Sequence, residues 1–507
     1  MAFRGKNSIT DLELRSREDL IREMWNPKKT SDQIFNVKSY GAKGDGKADD
    51  WKALQKAIDA VYQTTGGGNL FFPPGLYRIS APLEVPVADE GNPVSWLGHS
   101  PDSTTIAPSQ AMDYLVRMRG SGGSIKGIEF KGTDPMNGSA QYAKVCMLAT
   151  DIRDKIFSNA AFVWGSVHGL QITRDGNNNL CVFDRLCQFS QNGTVIKGKD
   201  VTGRAGKITF SKFNPKKNDV HVGAYFKIGK GEGSVYHIDS VTANGIHISP
   251  DLKRPISRGT EYAIHVGCGL QTDRGSDNNV YGIYDCHFVG NAGAGLMVRG
   301  LYGHHIQGGN FDSNGITGIH IGSGMINTTP AYSGTIAHTY FENNGYSNII
   351  LDYPSGLSII EPLLTKPADG MPDGIGSITS LRGHDFDYDS TSILYDGRLY
   401  QFVAETSEDF IEMEEAISFA LKRSSKAAIP AVIKLPPAPT HNFGEEVEIF
   451  IEEGGGQPVQ LLCDFAKINN KPGKTGVMVP MGDGYKITAY YNRRDSSWMV
   501  SYTVPAL

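Results

Sequence analysis

Cysteine is scarce in this chain and its pattern is unpaired. Six occur in 507 residues (Cys146, Cys181, Cys187, Cys268, Cys286 and Cys463), with no C-x-x-C among them. A disulfide framework and a zinc ribbon are therefore excluded, and buried free thiols are expected. A long basic run is also missing and the net charge is −5, which excludes nucleic acid as a partner. No apolar run is long enough to cross a bilayer, and "MAFRGKNSITDLELRSRED" holds no apolar signal core. The expectation is a chain with no membrane partner, made soluble in a cytoplasm, wherever it then works. A nucleophile elbow, a P-loop and a dinucleotide fingerprint are absent from the positions those chemistries need.

What the chain has is glycine, 60 residues of it, and a recurring phrase. "DCHFVGNAGAGLMV", "GGNFDSNGITGIHI" and "HTYFENNGYSNIIL" each place Asn three residues after Phe and apolar residues eight and ten after it. Aligned, they give a Phe column (Phe288, Phe311, Phe341) and an Asn column (Asn291, Asn314, Asn344). Two apolar columns follow (Leu296, Ile319, Ile349 and Val298, Ile321, Leu351), and an Ile stands five before each Phe (Ile283, Ile306, Ile336). "LCQFSQNGTVI" adds Phe189 and Asn192, with Cys187 over Cys286. Like residues stacked on like, turn after turn, are the mark of a parallel β-helix, whose neighbouring strands lie about 4.8 Å apart. The Phe column should fill the interior, the Asn column should form a hydrogen-bonded ladder, and the two cysteines should be packed core thiols.

The pattern lapses between Lys197 and Cys268. There "VGAYFKIGKGEGSVYHIDSVTANGIHISP" alternates like a small antiparallel domain, an insertion able to wall a ligand groove. Ahead of the repeats, "DDWKALQKAIDAVY" places Trp51, Leu54, Ile58, Val61 and Tyr62 on one helical face. Asp49 or Asp50 can cap this helix, which would close the first turn of the solenoid. The expected fold is all-β: residues 1–32 an N-terminal arm, 33–395 the β-helix with its capping helix, 197–268 the inserted β-domain. Residues 396–507 should form a C-terminal β-sandwich-type module, with "SEDFIEMEEAISFALKRSSK" as a helix inside it.

The stretch Ile34–Ile79, with "FNVKSYGAKGDGKADD", "ALQKAIDA" and "GGGNLFFPPGLYRI", closely resembles the N-terminal signature of the pectate-lyase-like superfamily, as found in bacteriophage tailspike depolymerases. The resemblance implies a right-handed parallel β-helix over roughly Ile34 to Leu364, minus the insertion. It implies a homotrimer and a place on the virion tail, reached through the N-terminal arm. It also implies action outside the cell on a bacterial surface polysaccharide (capsule, exopolysaccharide or O-antigen). In the family pattern Asp45, Asp49 and Asp50 are turn and cap residues, so neither a metal nor another cofactor is expected. The adjacent pair His304 and His305 lacks ligand spacing.

Residues next to each Phe should point outward. Asp312 and Glu342 would then stand one above the other, about 5 Å apart, the equipment of a retaining glycosidase. They are the first catalytic candidates, with the corner residues Asp285 and His338 as further ones. Tyr340, His287 and Asn310, together with His320, Asp273 and Arg274, are candidates for holding sugar. "LRGHDFDYDS" (His384, Asp385, Asp387) reads as a solvated loop. Hydrolysis by the carboxylate pair is the favoured reading. A lyase acting by β-elimination on uronic acid units would instead need a Tyr or His base and a cation, for which Tyr340, His338, His287 and Arg274 stand in reach. A glycan-binding protein without activity, and a secreted pectinase, are the other readings.

Overall fold

The computed structural model describes most of residues 33–364, with gaps at 88–91, 137–141, 230–234, 274–277, 323–330 and at single or paired positions elsewhere; beyond them it describes residues 378–379 and eleven short segments between 393 and 503. The N-terminal arm, Arg274 and the loop with His384, Asp385 and Asp387 lie outside the described residues. The chain divides into two compact units: residues up to 331 with 339–350 and 363–378, and residues 332–338 with 351–362 and 379–507.

The first unit is a parallel β-helix. Each coil contributes one strand to each of three rows. Row C is a ten-stranded sheet running from Asp45–Asp49 to Leu363–Leu364. Rows A and B are parallel as well, with Asn278–Tyr284 on Asn178–Asp184 in row A and Cys268–Thr272 on His168–Ile172 in row B. The Phe column sits inside row C and extends two coils below the repeats seen in the sequence. Phe130, Phe162, Phe189, Phe288, Phe311 and Phe341 stack with centroid spacings of 5.3, 5.2, 4.7, 4.5 and 5.3 Å.

Beside it runs the asparagine ladder. Asn192, Asn291 and Asn314 each donate through Nδ2 to the Oδ1 of the next Asn above, at 3.0, 2.9 and 3.0 Å. Each Nδ2 also donates to the carbonyl of a Phe in the coil below, as Asn314 does to Phe288 at 3.0 Å. Each Oδ1 also accepts the main-chain N–H of the Asn beneath it. The side-chain amides therefore satisfy buried turn backbone that water cannot reach.

From Phe162 upward, each three-residue strand of row C is bracketed by left-handed residues. Three before the Phe stand Asn159, Leu186, Asp285, Gly308 and His338; two after it stand Trp164, Gln191, Gly290, Ser313 and Asn343. All have φ between 48° and 68°. These bends turn the chain from row to row.

The helix α1 (Trp51–Tyr62) buries Leu54, Ala57, Ile58, Val61 and Tyr62. Asp50 spends its carboxylate on the N–H groups of Lys43 and Gly44 (2.6 and 3.0 Å), Asp45 on those of Lys47 and Ala48 (2.9 Å each), and Asp49 accepts from Trp51 and Ser80. All three carboxylates serve turns, and Asp50, at the N-cap position, gives the helix no side-chain cap.

Residues 194–266 form a seven-stranded sheet. Its first and last strands, Thr194–Gly198 and Tyr262–Val266, pair antiparallel at the root. It has its own core around Phe210, Phe226, Ile238 and Ile264. It leaves the β-helix at the corner between rows C and B.

In the second unit two sheets are described, one from 410–412, 431–434, 459–462 and 477–479, the other from 418–422, 446–453, 486–492, 497–503 and 467–468. The helix expected over 407–426 is corrected to two strands, Phe410–Glu412 and Ser418–Lys422. Alternating Phe419 and Leu421 pair in register with Ile449 and Ile451, and tertiary pairing outweighs the local preference of the Glu-rich stretch for helix.

Candidate functional site

Among the described residues two places gather candidate functional side chains, both in the first unit. One is the outer face of row C. Asp312 is the register partner of Glu342, and His287, Asn310 and Tyr340 form the neighbouring column. All five are half-buried. Tyr340 Oη donates to Glu342 Oε2 at 2.8 Å, and this bond pushes the tyrosine pKa up. Ser313 Oγ donates to Asp312 Oδ1 at 2.7 Å. Asp285 and His338 both belong to the left-handed column that ends row A, with φ of 50° and 51°.

The other place is a cleft of about 550 Å³ on the outer face of row B, at the edge of the insertion. The insertion roofs the upper part of this row. Successive outward residues of the row are Leu148, Gln171, Gln271, Met297 and His320. Met297 and His320 are 3 % and 1 % exposed. His320 Nδ1 lies 2.7 Å from Tyr225 Oη of the insertion, and its ring lies tilted by 31° against His237 at 4.6 Å. A sugar-binding role for His320 is thereby corrected: the insertion covers it, and it serves as an anchor. Below that roof the row lines the cleft, with half-buried Gln171 and buried Gln271 as its floor.

Asp273, a sequence candidate, lies in this floor. It accepts from Gln171 Nε2 (2.7 Å) and Gln271 Nε2 (2.6 Å), so its carboxylate is held in place by two amides. Lys144 reaches across the mouth. Its ammonium bridges Asp113 of row B (3.1 Å) and Asp219 of the insertion (3.0 Å), and those bonds, Asp219 first, raise its pKa. Tyr114 donates to Glu84 at 2.6 Å.

His221 comes from the insertion. Its Nδ1 lies 3.0 Å from the carbonyl of Asp219. A carbonyl only accepts, so Nδ1 carries the proton and Nε2 keeps its lone pair. Burial lowers the His221 pKa, and the nearby guanidinium of Arg299 adds to the effect. The imidazole is neutral at pH 7 and able to take a proton. Its ring meets that of buried His168 edge-on at 5.2 Å. Burial, then His221 and Arg299, hold His168 well below the ordinary range.

The structure thus joins Asp312, Glu342, Tyr340, His287 and Asn310 on one strip and places Asp273 elsewhere. The sequence reading missed Lys144, His168, His221, Asp113 and Asp219. A signal was there: "HGLQITRD" and "CGLQTDRG", 168–175 and 268–275, repeat Gly-Leu-Gln on either side of the insertion, and those glutamines are the floor.

A 63-residue stretch is 48% identical to Plasmin and fibronectin-binding protein A of Streptococcus pneumoniae (12% of this chain, 9% of that protein). A 46-residue stretch is 56% identical to Alginate lyase 7 of Azotobacter vinelandii (9% of this chain, 5% of that protein). The chain thus spans less than a tenth of the length of either relative. Among solved structures, the enzymatically active domain of Bacteriophage CBA120 tailspike protein 2 aligns with 77% of this chain and 47% of that one, at 11% identity and a TM-score of 0.40. Residues 34–296, just over half of the chain, match the family model described as Rhamnogalacturonase A/epimerase, pectate lyase-like. The chain belongs to that family, and the pectate-lyase-like resemblance carried by Ile34–Ile79 is borne out.

Proposed function

We propose that this chain is a tailspike-type depolymerase that holds an acidic bacterial surface polysaccharide in the row B cleft and cleaves it by β-elimination. The observation that carries the reading is the neutral imidazole of His221 set beside the ammonium of Lys144 in a concave site. β-Elimination needs a base for the proton next to a uronic carboxylate and a cation for the charge that develops there. His221 Nε2 takes the C5 proton. The C4–C5 double bond forms as the C4–O bond breaks, and the proton held on His221 Nε2 passes to the leaving oxygen, which returns the imidazole to its neutral form. Lys144 exchanges an aspartate for the substrate carboxylate, while Asp273 and its two glutamines meet sugar hydroxyls. Family membership supports a glycan substrate, and the name Alginate lyase 7 carries the same class of reaction.

A second reading, hydrolysis by Asp312 and Glu342, is favoured by their adjacent register on the row C strip. One assay separates the two. The protein is incubated with a panel of capsules, exopolysaccharides and O-antigens. The ultraviolet absorbance of unsaturated uronate is expected, and new reducing ends without it would mark a hydrolase. Tight binding without any product would mark a glycan-binding protein. The reading includes a homotrimer attached to the phage tail through residues 1–32; light scattering that gives a monomer counts against that part.

A further inference from the structure

We infer that Arg299 is a positioning residue: it seats the edge of the insertion, residues 219–223, against the β-helix and so sets the imidazole of His221 in the cleft. The inference rests on the cleft as the substrate site. Arg299 directly follows the row B strand Ala294–Val298. Its main-chain N–H donates to Oγ1 of buried Thr272 at 3.1 Å, which fixes the root of the side chain. Its Nη2 donates to the carbonyl of Val222 at 3.2 Å, one peptide from the imidazole.

The next residue, Gly223, has φ of 94°, and a Cβ built there would overlap the guanidinium. The loop thus carries glycine at the point where the arginine passes. A planar fork suits this task, since it meets a carbonyl in a fixed direction while keeping its charge. The charged and titratable groups around His221 are Arg299, Lys144, His168 and Asp273 of the β-helix and Asp219 of its own loop. Among these, Arg299 opposes protonation and the two aspartates favour it. The other side of the insertion keeps a separate anchor, the 2.7 Å contact of Tyr225 with His320. Loss of Arg299 should therefore loosen the edge without releasing the insertion.

The test is a histidine NMR titration of the full chain, with His221→Gln used for assignment. In Arg299→Gln the midpoint of His221 is expected to move up, and in Arg299→Lys, which keeps the charge, to stay near the native value. Amide exchange at 221–223 should quicken in both variants, because Gln and Lys are shorter and lack the planar fork that reaches the Val222 carbonyl in its fixed direction. A native midpoint in Arg299→Gln overturns the inference. Should Arg299→Gln unfold the insertion, Arg299→Lys decides: unchanged exchange at 221–223 overturns it. The pH profile on the polysaccharide identified by the panel should shift upward in Arg299→Gln as well. If His221→Gln cleaves at the native rate, the elimination reading falls, while the titration still decides the role of Arg299.

Discussion

Asn314 is the rung of the ladder whose removal can be costed from the geometry. Its side chain is 1 % exposed and takes part in four hydrogen bonds: from Asn291 N and Nδ2, and to Phe288 O and Asn344 Oδ1. Asn314→Ala removes all four. Asn291 Nδ2 keeps Phe189 O, and Asn344 Oδ1 keeps Asn314 N. Asn291 N and Phe288 O lose these bonds in the interior. At about 1 kcal/mol per net bond, with about 1–3 kcal/mol more for each of the two buried groups left unsatisfied, the loss should be about 6–10 kcal/mol. That is comparable with the whole stability of an ordinary domain, about 5–15 kcal/mol. Urea unfolding followed by far-ultraviolet circular dichroism should show the first transition at much lower denaturant. Hydrogen exchange should show protection lost first in residues 287–298 and 310–322. A destabilisation below about 1 kcal/mol would refute the claim that these amides satisfy backbone water cannot reach.

Phe311→Ala should destabilise by about 3–5 kcal/mol, because it opens a cavity between Phe288 and Phe341, and the same urea transition measures it. His221→Gln should lower cleavage by about 10²–10⁴-fold, while Asp312→Asn and Glu342→Gln leave it within a few-fold; the reverse pattern would move the site to row C. His168 and His304 are buried neutral, the latter with its pKa pushed down to about 4 by burial. Both folded values lie below the unfolded one of about 6.5, so the stability they contribute is present above that pH and lost as pH falls below it. Each should add up to about 1.4 kcal/mol per pH unit of acid destabilisation, and unfolding free energies that are equal at pH 7 and pH 5 would contradict this. Gly223→Ala should displace Arg299 and raise the KM of the cleft with the fold retained, as read by steady-state kinetics and circular dichroism.

The β-helix was legible in the sequence because its interior repeats. Phe288, Phe311 and Phe341 must stack, and Asn291, Asn314 and Asn344 must bond to one another, so spacing alone exposes them. The two lower coils were not legible. Phe130 and Phe162 continue the stack, but Thr133 and Gly165 stand where Asn would, and the ladder ends with Gly165 N donating to Asn192 Oδ1 at 2.9 Å. The cleft escaped for a different reason. Its residues come from five row B coils and a loop of the insertion, and nothing in their spacing ties Lys144 to Asp219 or His221 to Arg299. Asp285 and His338 stand at the backbone bend, with φ of 50° and 51°, and spacing alone does not separate that backbone demand from a catalytic one. His304 and His305 stand on successive positions of one strand and face opposite sides, the first buried beside Tyr281, so they cannot share a ligand.

The root of the insertion has a consequence for how such a chain can change. In the next coil the path from ladder to row B is short, Asn291-Ala292-Gly293-Ala294. In the coil below, the same path opens between Gly193 and Gly267, and its two lips are Thr194 and Val266, paired antiparallel. Paired lips stand about 5 Å apart, the gap a single corner already spans. A module grafted there strains neither the Phe stack nor the ladder, and its removal reseals the corner. The wall that carries Asp219 and His221 is therefore heritable separately from the floor that carries Lys144 and Asp273. A recombination crossover at that corner could trade one cleft wall for another, and with it the polymer recognised, in a single event.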